Sequence, residues 1–166
     1  MIKEEQTGGS ALAHFSKAIV SQPGRERIAP APFGGHVVVH ATAEETGGTL
    51  GMWETFTPPG KGPHDHTHTR ETETFRIIRG IYRFRCGDDE FDAHPGAVVV
   101  LPPNIPHSFR NIGDEPGQMF ATVTPGGFEQ MFFEIGKSGA NTVEAIATIE
   151  ARFGIVNAQT KALGLT

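Results

Sequence analysis

The sequence lacks most of what staples or anchors a chain. Cys86 is its one cysteine, so no disulfide closes within it and no thiolate zinc site can form. One Trp and one Tyr stand against twelve Phe, which points to an interior lined by phenylalanine. No apolar run approaches the roughly 20 residues of a membrane span. The opening residues MIKEEQTGGS have neither the basic patch nor the apolar stretch of a secretory signal. A net charge of −5 without long runs of one sign argues against nucleic acid as a partner. The expectation is a soluble cytoplasmic protein without a membrane or nucleic-acid partner.

Glycine and proline are plentiful, at 21 and 12 residues. They suit short strands joined by tight turns. Ser10 can cap a short helix over 10–20, and the Pro/Gly-rich stretch 21–35 reads as a surface connector. From residue 36 the texture is β. HVVVHA, TLGMWETFTPP, TETFRII, IYRFRC, GAVVVL, HSF and GQMFATVT follow one another between turn residues. That spacing indicates an all-β sandwich or barrel. In IYRFRC, Tyr82, Phe84 and Cys86 share one face and Arg83 and Arg85 the other, so the aromatic face points inward.

After residue 126 the pattern turns helical. Phe128, Met131, Phe132 and Ile135 form one apolar stripe. A second helix starts with Asn141 three residues before Glu144, as in a capping box. It carries the stripe Val143, Ile146, Ala147, Ile149 and stops at Gly154. Residues after about 157 are expected to fray. The division is then an N-terminal extension over 1–35, a β-barrel over 36–125 and C-terminal helices packed on it over 126–166.

The stretch GKGPHDHTHTRETETFRIIRG (60–80) concentrates imidazoles and carboxylates. In an extended strand, His66 and His68 point to one face. Glu73 follows five residues on, enough for a turn that returns it to the same interior. Glu71, Glu73, Phe75 and Ile77 share parity. Two imidazoles and a carboxylate make a donor set of the kind that holds non-haem iron. His107, after the apolar run 97–101 and a Pro-stiffened turn, is either a buried core histidine or a fourth ligand. Around this group an apolar pocket is expected from Met52, Phe75, Tyr82, Phe84, Phe109, Met119 and Phe120.

These residues carry a resemblance to the cupin superfamily. Its first motif is Gly, five residues, His-x-His, four residues, Glu, six residues, Gly; here these are Gly60, His66, His68, Glu73 and Gly80. Its second is Gly, five residues, Pro-x-Gly, two residues, His, three residues, Asn; here Gly96, Pro102, Asn104, His107 and Asn111. Asn104 replaces a glycine, and Asn is the next-best residue for a left-handed turn. Residues 36–155 resemble single-domain, quercetin-2,3-dioxygenase-like cupins. The resemblance implies a mainly β fold, a double-stranded β-helix or jelly-roll barrel. It implies one divalent transition metal per chain (Fe, Ni, Mn, Co, Cu or Zn) on His66, His68, Glu73 and His107. His64 then stands as a group behind the ligands, an alternative ligand, or a loop residue at the pocket mouth.

The resemblance, which does not extend to residues 1–35, also implies a homodimer and a small-molecule substrate; our own expectation is that 1–35 serves as an interface or exchanged element. Three functions fit the resemblance. The first is a metal-dependent dioxygenase-like oxidoreductase acting on a small aromatic or enolisable oxygenated substrate, with Glu73 as general base. The second is a non-redox cyclase or isomerase, most naturally with zinc. The third is a cupin that binds a small ligand without turnover.

Overall fold

The computed structural model describes residues 15–166. In chain order it contains β1 (Arg27–Pro30), β2 (His36–Ala41), β3 (Gly51–Thr57), β4 (His66–His68), β5 (Thr72–Arg79), β6 (Tyr82–Cys86), β7 (Asp89–Ala93), β8 (Val98–Leu101), β9 (His107–Asn111), β10 (Gly117–Thr124), α1 (Gln130–Ser138), α2 (Val143–Arg152), β11 (Ile155–Asn157) and α3 (Ala158–Ala162). The fold is mainly β. A six-stranded sheet has the order β1-β2-β3-β10-β5-β8 and a five-stranded sheet the order β11-β4-β9-β6-β7. All the pairings are antiparallel.

Period-two alternation decides which side chains share the interior. Along β3, Trp53, Thr55 and Thr57 are buried while Met52, Glu54 and Phe56 are half-buried on the other face. On β5, Glu73, Phe75 and Ile77 face inward, and on β6 Tyr82 and Phe84 do so with no exposed surface. Residues from both sheets and from α1 form one core. Each large apolar side chain fully buried there contributes roughly 1.5–3 kcal/mol.

Asn104 is the one non-glycine residue with positive φ among the described residues, at 64°. Its backbone N–H donates to the His68 carbonyl at 2.8 Å, so the turn before β9 is tied to β4. At Gly62 a Cβ would lie 1.9 Å from the Phe109 carbonyl oxygen, so the loop ahead of β4 can lie against β9 only without a side chain. The buried Asn111 side chain donates to the carbonyls of Thr57 and Glu115 and accepts from Gly113 N–H. It staples the second motif to the end of β3.

The ends of the chain differ from the expectation in four places. Residues 15–20 carry no regular structure; Phe15 is exposed, and a short helix without a packed face is marginal. Residues 10–14 of the expected helix, with the Ser10 cap, lie outside the described residues. Residues 27–30 are not a surface connector but a strand paired with β2 through Arg27↔Val39 to Pro30↔His36. The cap of α2 is Thr142, whose hydroxyl accepts from Ala145 N–H, rather than Asn141. Residues beyond 157 do not fray: Asn157 and Thr160 form a reciprocal capping box that starts α3.

α1 buries Met131, Phe132 and Ile135. Gly154, with φ of 77°, lets the chain turn from α2 into β11, which joins the five-stranded sheet beside β4. Among the described residues, no helix is long and apolar enough to cross a membrane.

Candidate metal centre and its cavity

Two walls meet at the cluster. β4 carries His66 and His68, β9 carries His107, and His66 and His107 are direct partners across the two strands. Glu73 comes from β5 of the larger sheet. One donor atom from each of these four residues can be chosen so that all lie within 4.8 Å of one another. Glu73 Oε2 is 3.5 Å from His107 Nε2 and 3.8 Å from His68 Nε2. His68, Glu73 and His107 are buried, and His66 is half-buried where it lines the cavity.

The outer nitrogens fix the rings. His66 Nδ1 donates to the His64 carbonyl and His107 Nδ1 to the Ile105 carbonyl, each at 2.9 Å. His68 Nδ1 lies 3.4 Å from Glu71 Oε2, a carboxylate 2% exposed. The two backbone acceptors place the ring proton on Nδ1 and leave Nε2 as a lone-pair donor. Phe128 lies against His68 in an edge contact, with ring centroids 4.5 Å apart.

The electrostatics favour a neutral His66 and an ionised Glu73. Burial, reinforced by the His68 and His107 rings, pushes His66 down to about 3. Burial by itself would raise Glu73, but the imidazoles of His68, His107 and His66 outweigh it and hold the carboxyl below its ordinary range. His68 Nε2 and His107 Nε2 are buried without a hydrogen-bond partner. A buried imidazole nitrogen left this way is costly unless something accepts its lone pair, and a divalent cation would do so at both. Three nitrogens and one carboxylate oxygen suit a first-row transition metal.

The cluster opens on a cavity of about 650 Å³, within the range of small-molecule sites. Phe75 and Phe109 line it, and so do Phe33, Trp53 and Thr55. Tyr82, Phe84 and Met119 do not. Each is fully buried in the core, because the interior of the barrel beyond Phe75 is filled by side chains rather than open. Met52 and Phe120 do not line it either, because they sit on the outer face of the larger sheet, where Phe120 stacks on His40. The Glu54 that shares parity with Met52 marks that face as outward in the sequence. His64 is exposed and lines the cavity.

Sequence reasoning missed the wall built by the C-terminal segment. Phe128, Met131 and Phe132 reach the cavity, as do Ile146, Glu150 and Asn157. The Phe128 stripe was visible as helical periodicity, but its placement depends on a tertiary contact. Nothing in the local sequence marks Glu150 or Asn157.

Residues 52–123 match the family model described as "Cupin domain". A quercetin 2,3-dioxygenase of Bacillus subtilis (strain 168) is 29% identical over 96 residues, which is 58% of this chain but only 28% of that protein. The chain thus spans little more than a quarter of that relative. Among solved structures, an RmlC-like cupin from Shewanella frigidimarina NCIMB 400 superposes with a TM-score of 0.57 at 15% identity, covering 66% of this chain and 92% of that one. A protein from Thermotoga maritima described as a predicted oxalate decarboxylase gives 0.53 at 20% identity, covering 60% and 94%. At these identities the two structures speak for the fold alone. Motif, family model and fold agree on a cupin domain over residues 52–123.

Proposed function

We propose that this cupin is a metal-dependent oxidoreductase of the dioxygenase type, acting on a small aromatic or enolisable oxygenated molecule. The observation that carries the reading is the junction of a three-imidazole, one-carboxylate cluster with a ligand-sized cavity walled by phenylalanine. The similarity to part of a quercetin 2,3-dioxygenase supports the reaction class.

His66, His68, Glu73 and His107 would hold one divalent transition metal, which when bound supplies Lewis acidity toward an enol or phenol oxygen and, if redox-active, a route to dioxygen. The protein residues supply the rest. The Nδ1 contacts of the three imidazoles keep their Nε2 atoms aimed at the cluster. Glu73, held ionised, accepts the proton of an acidic substrate hydroxyl at a carboxylate oxygen. Phe75 and Phe109, in edge contact at 5.4 Å, bound the space for an aromatic plane and exclude water.

The same donor set suits zinc, and this gives the second reading, a non-redox cyclase or isomerase. A binding role without turnover is the third. Metal analysis by mass spectrometry on protein purified without a metal-affinity column, followed by oxygen uptake with a flavonol, tests the proposal. Near one equivalent of iron, nickel, manganese, cobalt or copper with oxygen consumed supports the dioxygenase. Zinc alone and no uptake transfers the proposal to the cyclase or isomerase reading.

We further propose a homodimer. The outer face of the larger sheet exposes Ile28, Val98 and Val100, apolar groups that a second copy would cover. Light scattering at the 17.9 kDa of one chain would refute it.

A further inference from the structure

The cavity has a second polar pole, on the wall given by the C-terminal segment. β11 pairs with β4 so that Asn157 lies directly across from His66 and Ile155 across from His68. Partners in an antiparallel pair present their side chains to the same face, and Asn157 and Ile155 both line the cavity. Asn157 Nδ2 donates to Glu150 Oε2 at 2.8 Å. Glu150, in the last turn of α2, lines the cavity too. Neighbouring strands lie about 5 Å apart. Glu150 therefore stands one strand and one hydrogen bond from the His66 position. It lies outside the metal cluster, yet near enough for one ligand to touch both.

The pair is not explained by local structure. The Asn157 side-chain oxygen caps α3 by accepting from Gln159 and Thr160 N–H, so the cap forms without Glu150. Glu150 Oε2 is bonded, whereas Oε1 takes no hydrogen bond among the described residues. Burial pushes its carboxyl up, opposed by the Asn157 hydrogen bond and by the nearby His64. The exposed Lys61 and Arg110 also line the cavity, which disfavours a cationic ligand. What the open carboxylate oxygen fits is a neutral hydrogen-bond donor.

We propose that Glu150, held by Asn157, is a specificity-determining residue that accepts a hydrogen bond from a second hydroxyl of the ligand, remote from the hydroxyl directed at the metal cluster. The ligand class is thereby narrowed to polyhydroxylated aromatics. The inference rests on the reading of the cavity as a site for a small oxygenated aromatic, but not on any oxidation there.

The single tryptophan of the chain, Trp53, lines the cavity, so its fluorescence reports occupancy. Metal-loaded protein under nitrogen is titrated with 3-hydroxyflavone, which carries only the metal-directed hydroxyl, and with quercetin, which adds hydroxyls on the outer rings. The wild type is expected to bind quercetin about tenfold more tightly, the scale of one hydrogen bond to a carboxylate. Glu150→Ala removes that preference and shifts the 3-hydroxyflavone Kd by less than about twofold. Glu150→Gln, isosteric and able to keep the Asn157 contact, loses only part of it and guards against a folding defect. The proposal is overturned by a wild type without preference, by a preference that survives Glu150→Ala, by equal weakening of both probes in both variants, or by no quenching from either. Absence of oxygen uptake with quercetin would remove the dioxygenase reading and leave this one standing.

Discussion

β10 meets β3 and β5 over seven residue pairs each, whereas β4 meets β9 at a single pair, His66↔His107. The larger sheet is held by its ladder. The smaller one holds the chemistry, three imidazoles against the larger sheet's one carboxylate. Its strand β4, which carries two of the imidazoles, is only three residues long, so its position depends on other devices. These are the Asn104 N–H bond to the His68 carbonyl, the β11 pairing and the carbonyls that receive His66 and His107. A wall with few ladder bonds can place its side chains for a cation rather than for a neighbouring strand, while the long wall supplies stability.

A pair of substitutions puts that division to its hardest test. His107→Ala is expected to lose most bound metal while its far-UV circular dichroism persists, and Leu101→Ala, buried on β8, to keep metal stoichiometry but lose about 2–5 kcal/mol in urea unfolding. A folded His107→Ala with undiminished metal would break the comparison. Glu71→Gln removes the charge 3.4 Å from His68 Nδ1 and should weaken metal binding about 10–100-fold in chelator competition; an unchanged affinity assigns Glu71 to folding alone.

The metal-free protein should show the strain of the imidazole wall as pH dependence. Folded His66 protonates only near 3 against an ordinary 6.5, and Glu73 is lowered as well. The unfolded chain therefore holds more protons below about 6.5. Stability is full above that pH and falls as pH drops toward about 3. Melting temperatures of metal-free protein between pH 8 and 4 check this, and His66→Gln should flatten the upper part of the curve; a Tm constant from pH 7.5 to 5 would refute it. The smallest effect belongs to His64→Ala, an exposed site whose loss should leave metal near one per chain.

Legibility in the sequence followed the range of the interaction. The strands could be read from alternation, and the grouping of His66, His68, Glu73 and His107 from the family resemblance that two short motifs carry. Asn104 could be placed in a left-handed turn because so few residues adopt one. The cavity was harder. Met52 and Phe120 required a choice of parity that only Glu54 and Gln118, paired on the outer face by a 2.9 Å hydrogen bond, would have settled. Phe128, Glu150 and Asn157 were hidden because what matters about them is a contact with residues some sixty to ninety positions earlier, which no local pattern encodes.

The pairing of β11 with β4 also has a consequence in time. His66 and His68 leave the ribosome long before Ile155–Asn157. At synthesis rates of about 5–20 residues per second, the ligand strand waits roughly 5–20 seconds for its outer neighbour. Until then β4 is an unpaired edge. The strand that carries His66 and His68 therefore takes its final surroundings only after translation has passed Asn157.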